Sequence, residues 1–230
     1  MIEATGSGQT TFVLIHGIGM GRSVFADLTR HLVAHGRVVA IDLPGYGEAP
    51  EPPRTLTIER NADVVAALLA ERGYADVTLI GHSMGAQIAV EVAVRHPGLV
   101  NRIVLAGPTV DPAARRAAAQ LGRLARDVAV ESPLVWARGA REYFRAGPNL
   151  RMKMRAMGTH RVEGVLTRVT VPALVLRGAD DIVAPREWCE TVAGLLPHAS
   201  FVEIPDHGHE TMIRDAAPAA ALIARFAADA

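Results

Sequence analysis

Residues Val77 to Ala86, VTLIGHSMGA, constrain the fold more than any other stretch. Val77, Thr78, Leu79 and Ile80 are apolar or β-branched and read as a buried strand. Gly81-His82-Ser83-Met84-Gly85 then runs directly into a helical pattern from Ala86 to Arg95. A G-x-S-x-G turn between strand and helix is a nucleophile elbow: two glycines permit a crowded backbone, and the serine Oγ stands exposed above the carboxyl edge of a sheet. Ser83 is the candidate nucleophile. The bland alternative is a glycine-rich turn with an idle serine, and the rest of the chain has to decide between them.

The remaining chain supplies the context an elbow needs. Thr11 to Ile15 reads as a first strand, followed by His16-Gly17-Ile18-Gly19-Met20-Gly21 and a helical spacing of Val24, Phe25, Leu28, Leu32 and Val33. Arg37 to Ile41 is the next strand, ending in the turn Asp42-Leu43-Pro44-Gly45-Tyr46-Gly47. Thr57 can cap a helix whose apolar face carries Val64, Val65, Leu68 and Leu69, with Gly73 as its stop. After the elbow come strands at Arg102 to Ala106, Val171 to Leu176 and Phe201 to Ile204, with helices over Arg186 to Leu196 and Ala216 to Ala228. This alternation predicts an α/β fold: an open, mostly parallel sheet with helices on both faces and ligands at the carboxyl ends of its strands.

Pro112 to Arg168 interrupts the alternation with helical stretches at Ala113 to Val130, Leu134 to Phe144 and Leu150 to Met157, broken at Ser132-Pro133 and Gly147-Pro148. The reading is one domain, 1–111 and 169–230, with an inserted helical lid at 112–168. The lid holds 12 of the 24 lysines and arginines against four acidic residues, Asp127, Glu131, Glu142 and Glu163. Such arginines ordinarily form a solvated face; the sharper alternative is steering of a carboxylate-bearing substrate.

Composition narrows the partners. With half of its 230 residues apolar the chain can bury one sizeable core, and its zero net charge offers no global field for nucleic acid or an anionic membrane. A small-molecule partner is expected. There is no membrane-length apolar run, and MIEATGSGQT lacks the cationic and apolar regions of a secretory signal, so a soluble cytoplasmic protein without membrane insertion is expected. The single cysteine, Cys189, cannot form an internal disulfide and reads as a buried structural thiol.

A serine hydroxyl needs a base, and the base needs a group to fix its tautomer. In elbow-type hydrolases these follow in the order Ser, acid, His, each on a loop at the sheet's carboxyl edge. After the strand ending at Leu176 come Asp180 and Asp181; after the strand ending at Ile204 come His207 and His209. Each pair holds a candidate.

With these motifs in place the chain resembles, over nearly its whole length, the α/β-hydrolase fold superfamily, close to its small lid-bearing bacterial esterases and carbon-carbon bond hydrolases. The resemblance implies that the acid is Asp181, from the match of Gly178, Asp181 and Pro185 to G-x-x-D-x-x-x-P, with Asp180 as runner-up. It implies that the base is His209, of the Gly208-His209 pair, with His207 as the alternative. It places the oxyanion hole on the backbone N–H groups of Ile18 and Met84, gives His16 and the Asp42-to-Gly47 turn structural roles, and calls for no metal or cofactor. The implied activity is serine hydrolysis of a small carboxylic ester, a lactone included, through an acyl-enzyme. Carbon-carbon bond hydrolysis and perhydrolysis use the same residues, and a ligand-binding receptor on the same fold is the non-enzyme alternative.

Ser83 stands where similar haloalkane dehalogenases and epoxide hydrolases place an aspartate. His207-x-His209 lacks the further ligands of a metal site, and HGIGMG lacks the spacing of a dinucleotide loop. Only about ten residues precede Thr11, where relatives of this fold carry two antiparallel strands, so a shortened sheet edge is expected. Such an edge could pair with another subunit; the oligomeric state is not legible in the sequence.

Overall fold

The computed structural model describes residues 2–74, 76–114 and 149–229. Seven strands form one sheet: β1 (Ile2–Thr5), β2 (Thr11–Ile15), β3 (Arg37–Ile41), β4 (Val77–His82), β5 (Arg102–Ala106), β6 (Ala173–Gly178) and β7 (Ala199–Ile204). Their order across the sheet is β1-β3-β2-β4-β5-β6-β7, all parallel except β1, which pairs antiparallel with β3.

The continuous apolar runs of the central strands follow from burial on both faces. Along β2, Val13 and Ile15 point into one cluster while Phe12 and Leu14 point into the other; β4 divides Val77 and Leu79 from Ile80 in the same way. The first cluster is covered by α2 (Ile58–Arg72), α3 (Met84–Arg95) and α5 (Arg186–Leu195), the second by α1 (Ala26–Leu32) and α6 (Ala217–Ala228). Thr57 caps α2 by accepting the N–H of Arg60, and Gly73 ends it in the left-handed conformation. Among the described residues no helix is long and apolar enough to cross a membrane.

The sheet departs from the sequence reading at its edge and at strand ends, where β7, expected from Phe201, begins at Ala199. A four-residue strand, β1, stands where no strand was expected; its register, Ile2 opposite Ile41 through Thr5 opposite Val38, comes from the exposed ladder edge of β3 rather than from an apolar pattern of its own. The sheet edge is therefore one antiparallel strand. In addition, β6 begins at Ala173 rather than Val171 and extends to Gly178. Pro172 has no N–H for the ladder and contributes only its carbonyl, to Ile103 N–H, while Arg177 and Gly178 pair with Glu203 and Ile204.

The helices expected at Ala113 to Val130 and Leu134 to Phe144 lie outside the described residues, apart from a 3-10 turn at Pro112–Ala114. The third is α4 (Leu150–Thr159), followed by 3-10 turns at Val162–Gly164 and Leu166–Arg168 whose Val162 and Leu166 join the first cluster.

Candidate active site

The candidate residues gather at the carboxyl ends of β4, β5, β6 and β7, and β4 delivers Ser83. Its φ of 56° and ψ of −115° are strained for a residue with a side chain, and its N–H donates to the carbonyl of Ala106 at 2.9 Å. Both elbow glycines are required by contact: a Cβ on Gly81 would meet the Gly85 carbonyl oxygen at 2.2 Å, and one on Gly85 would meet that of Ile15 at 2.3 Å. The turn lifts the serine to the strand end as expected but not into open solvent, since Ser83 is only 6 % exposed.

The loop after β6 supplies Asp181, and the geometry separates it from Asp180. Asp180 is exposed, whereas Asp181 is buried and its Oδ2 accepts from His209 Nδ1 at 2.8 Å. Its Oδ1 accepts the N–H groups of Val183 and Ala184, each at 2.8 Å. Burial by itself pushes the carboxyl pKa up, but the charge and hydrogen bond of His209 and the two backbone N–H groups outweigh it and hold the pKa below its ordinary 3.8.

Because a carboxylate can only accept, the neutral His209 ring carries its proton on Nδ1, and Nε2 becomes the basic nitrogen. His207 is differently placed. Its Nδ1 faces the carbonyl of Pro205 at 2.7 Å and its Nε2 that of Asp215 at 3.1 Å, so both nitrogens donate when the ring is protonated. Burial opposes charge on this ring, yet the two carbonyls outweigh it and raise its pKa above 6.5. With both ring nitrogens turned to backbone carbonyls, neither is presented to a substrate proton.

Three features were not foreseen. Arg177 is buried at the end of β6, where Nη2 donates to the Asp181 carbonyl at 2.8 Å, Nε to that of Ala184 at 3.1 Å, and Nη1 pairs with Glu203 on β7. It clips the loop of Asp181 to two strands; a lone charge in the otherwise apolar run ALVLRG was the only signal for it. Gly107, just past β5, lies against the His209 ring. His82 donates from Nε2 to the backbone carbonyl of His209 at 2.8 Å.

On the far side, His16 is buried and bridges two loops. Nδ1 donates to the Gly17 carbonyl at 2.7 Å, Nε2 accepts the Leu43 N–H at 3.2 Å, and burial lowers its pKa to about 4. Asp42 binds Arg22 through both backbone and guanidinium and accepts the Glu48 N–H at 3.2 Å, closing the Asp42-to-Gly47 turn onto the HGIGMG loop. Ile18 lies in that loop and Met84 opens α3, where the first N–H groups of a helix have no partner within the helix.

The helix α4 is anchored beside Met84. Lys153 on α4 donates to the Gly45 carbonyl and to Glu51, with its ammonium 4.4 Å from the Tyr46 ring centre, and the Tyr46 hydroxyl reaches Met84 Sδ at 3.6 Å. On the same helix Met157 is buried in the core and Met152 is 59 % exposed. Burial pushes the Cys189 thiol up to about 12, as fits an inert core residue.

Comparison with known proteins agrees with the fold. A family model described as the alpha/beta hydrolase family matches residues 12–225. A pimeloyl-[acyl-carrier protein] methyl ester esterase of Chromobacterium violaceum is 29% identical over 239 residues, covering 90% of each chain. A 2-hydroxy-6-oxononadienedioate/2-hydroxy-6-oxononatrienedioate hydrolase of Paraburkholderia phymatum is 36% identical over 108 residues, 45% of this chain and 38% of its own. Among solved structures, a thermophilic esterase from Thermogutta terrifontis superposes with a TM-score of 0.82 at 25% identity, covering 100% of this chain and 93% of that one.

Proposed function

The chain belongs to the alpha/beta hydrolase family and is a hydrolase, and from that premise we propose that it cleaves a small carboxylic ester, a lactone included, with Ser83 as nucleophile, His209 as base and Asp181 as the acid that orients it. The observation that carries this reading is the 2.8 Å bond from His209 Nδ1 to a buried Asp181, which makes Nε2 basic in a residue whose main chain is held by the neighbour of Ser83.

In this mechanism His209 Nε2 takes the Ser83 proton as Oγ attacks the carbonyl carbon. The N–H groups of Ile18 and Met84 hold the oxyanion, and His209 returns the proton to the departing alcohol. Water activated by the same nitrogen then attacks the acyl-enzyme and frees the acid. Every transfer uses groups of this chain and water. Residues 112–168 act as a helical lid over the core of 1–111 and 169–230; the tie from Lys153 to Gly45 and Glu51, beside Met84, supports that role.

Two esterases among the similar proteins support the ester reading. Carbon-carbon bond hydrolysis is the second reading, favoured by the 36% identity to the Paraburkholderia phymatum hydrolase over 108 residues.

A fluorophosphonate tests the nucleophile without assuming a substrate. The expected result is one adduct, on Ser83, absent in Ser83→Ala and formed about 10²–10⁴-fold more slowly in His209→Ala. Labelling elsewhere, or a rate indifferent to His209, would remove the reading.

A further inference from the structure

The residue before the nucleophile has a task of its own. His82 closes β4, is 0 % exposed, and lies with its ring 4.8 Å from that of His209 at a tilt of 44°. Its Nε2 stands 2.8 Å from the His209 backbone oxygen. A carbonyl oxygen only accepts, so the hydrogen of His82 is on Nε2 and Nδ1 is bare. Among the described residues that Nδ1 has no hydrogen-bond partner.

This arrangement is costly as packing. A buried imidazole with one nitrogen unmatched forfeits solvation that a methionine or leucine in the same space would not need. The return is the single bond to His209. The topology shows what that bond supplies: β4 and β7 are separated by β5 and β6, so the serine and histidine loops start roughly 14 Å apart at a strand spacing of about 4.8 Å. Without a direct link, their separation would rest on the summed placement of four strands and the loop after Ile204. A bond from residue 82 to residue 209 sets it locally.

Resting on the serine-hydrolase reading above, we propose that His82 is a positioning residue that fixes the His209 main chain through its Nε2–H and so presents the His209 ring to Ser83. It touches neither substrate nor proton in flight. Burial and the neighbouring His209 lower its pKa to about 3, so His82 stays a neutral, single-tautomer donor across the range in which the enzyme would work.

The test compares His82→Gln, whose side-chain amide N–H can reach the same carbonyl, with His82→Asn, which is too short, and His82→Met, which has no donor. Wild type and His209→Ala serve as controls, with p-nitrophenyl butyrate as substrate. Expected are a kcat loss of about ten- to hundredfold in His82→Met and His82→Asn at nearly unchanged KM, and recovery to within about threefold of wild type in His82→Gln. Equal losses in all three, or wild-type kcat in a folded His82→Met, would overturn the proposal.

Should the variants not fold, the ¹⁵N resonances of wild-type His82 decide: a protonated Nε2 and bare Nδ1 that do not titrate between pH 5 and 8 agree with it, and the opposite tautomer overturns it. Wild type with turnover that His209→Ala abolishes and His82→Met leaves intact sinks the positioning role alone. A wild type with neither turnover nor labelling of Ser83 sinks the catalytic reading and this role with it.

Discussion

Gly107→Ala is the sharpest small perturbation the site allows. A Cβ at this position would stand 2.9 Å from both Cε1 and Nδ1 of His209 and 3.1 Å from Asp181 Oδ2. Ordinary contact begins at 3.4 Å, so the ring must retreat by about 0.5 Å from its present seat beside Asp181. A 1 Å misplacement costs about 10² in rate, so the expected loss in kcat is roughly tenfold. The backbone adds a separate cost. Gly107 has φ of +52°, which an alanine tolerates at about 1 kcal/mol, or a melting temperature lower by about 2–4 °C for a chain of this size. The assay is kcat and KM on p-nitrophenyl butyrate beside a thermal melt. A variant with the lowered melting point but kcat within twofold of wild type would refute the claim that the packing of His209 against Gly107 and Asp181 sets the rate.

Arg177→Met removes two contacts of the loop after β6 and one ion pair to Glu203, which is left with Arg186 alone, so chemical denaturation should show a loss of about 3 kcal/mol, partly recovered in the double variant with Glu203→Gln. No recovery would mean that the loop contacts, not the ion pair, dominate. His207 has a folded pKa above its unfolded 6.5, so its contribution is fully present below pH 6.5 and fades as pH rises through the folded value. The melting-temperature gap between wild type and His207→Phe should be larger at pH 5.5 than at pH 8.5, and a gap that widens with pH would contradict the double-donor assignment.

What the sequence revealed was what is local. The elbow, the Thr57 cap and Gly73 stop of α2, and the order of serine, acid and histidine loops each depend on neighbours within a few residues. Choices between adjacent candidates were not local. Asp180 and Asp181 differ in burial, which the sheet and α5 decide, and His207 is spent on the carbonyl of Asp215, eight residues on. Arg177 and His82 were not foreseen because Glu203 and His209 reach them only through strand order. β1 escaped because pairing with β3, not composition, makes it a strand.

The most direct test of the account is hydrolysis of p-nitrophenyl acetate, butyrate and octanoate by wild type, Ser83→Ala, Asp181→Ala and His209→Ala side by side. The account predicts turnover by wild type, its near-complete loss in Ser83→Ala and His209→Ala, and a large loss in Asp181→Ala, with the chain-length profile sizing the acyl pocket. A folded wild type that turns over none of the three, or a Ser83→Ala that retains its rate, would contradict it.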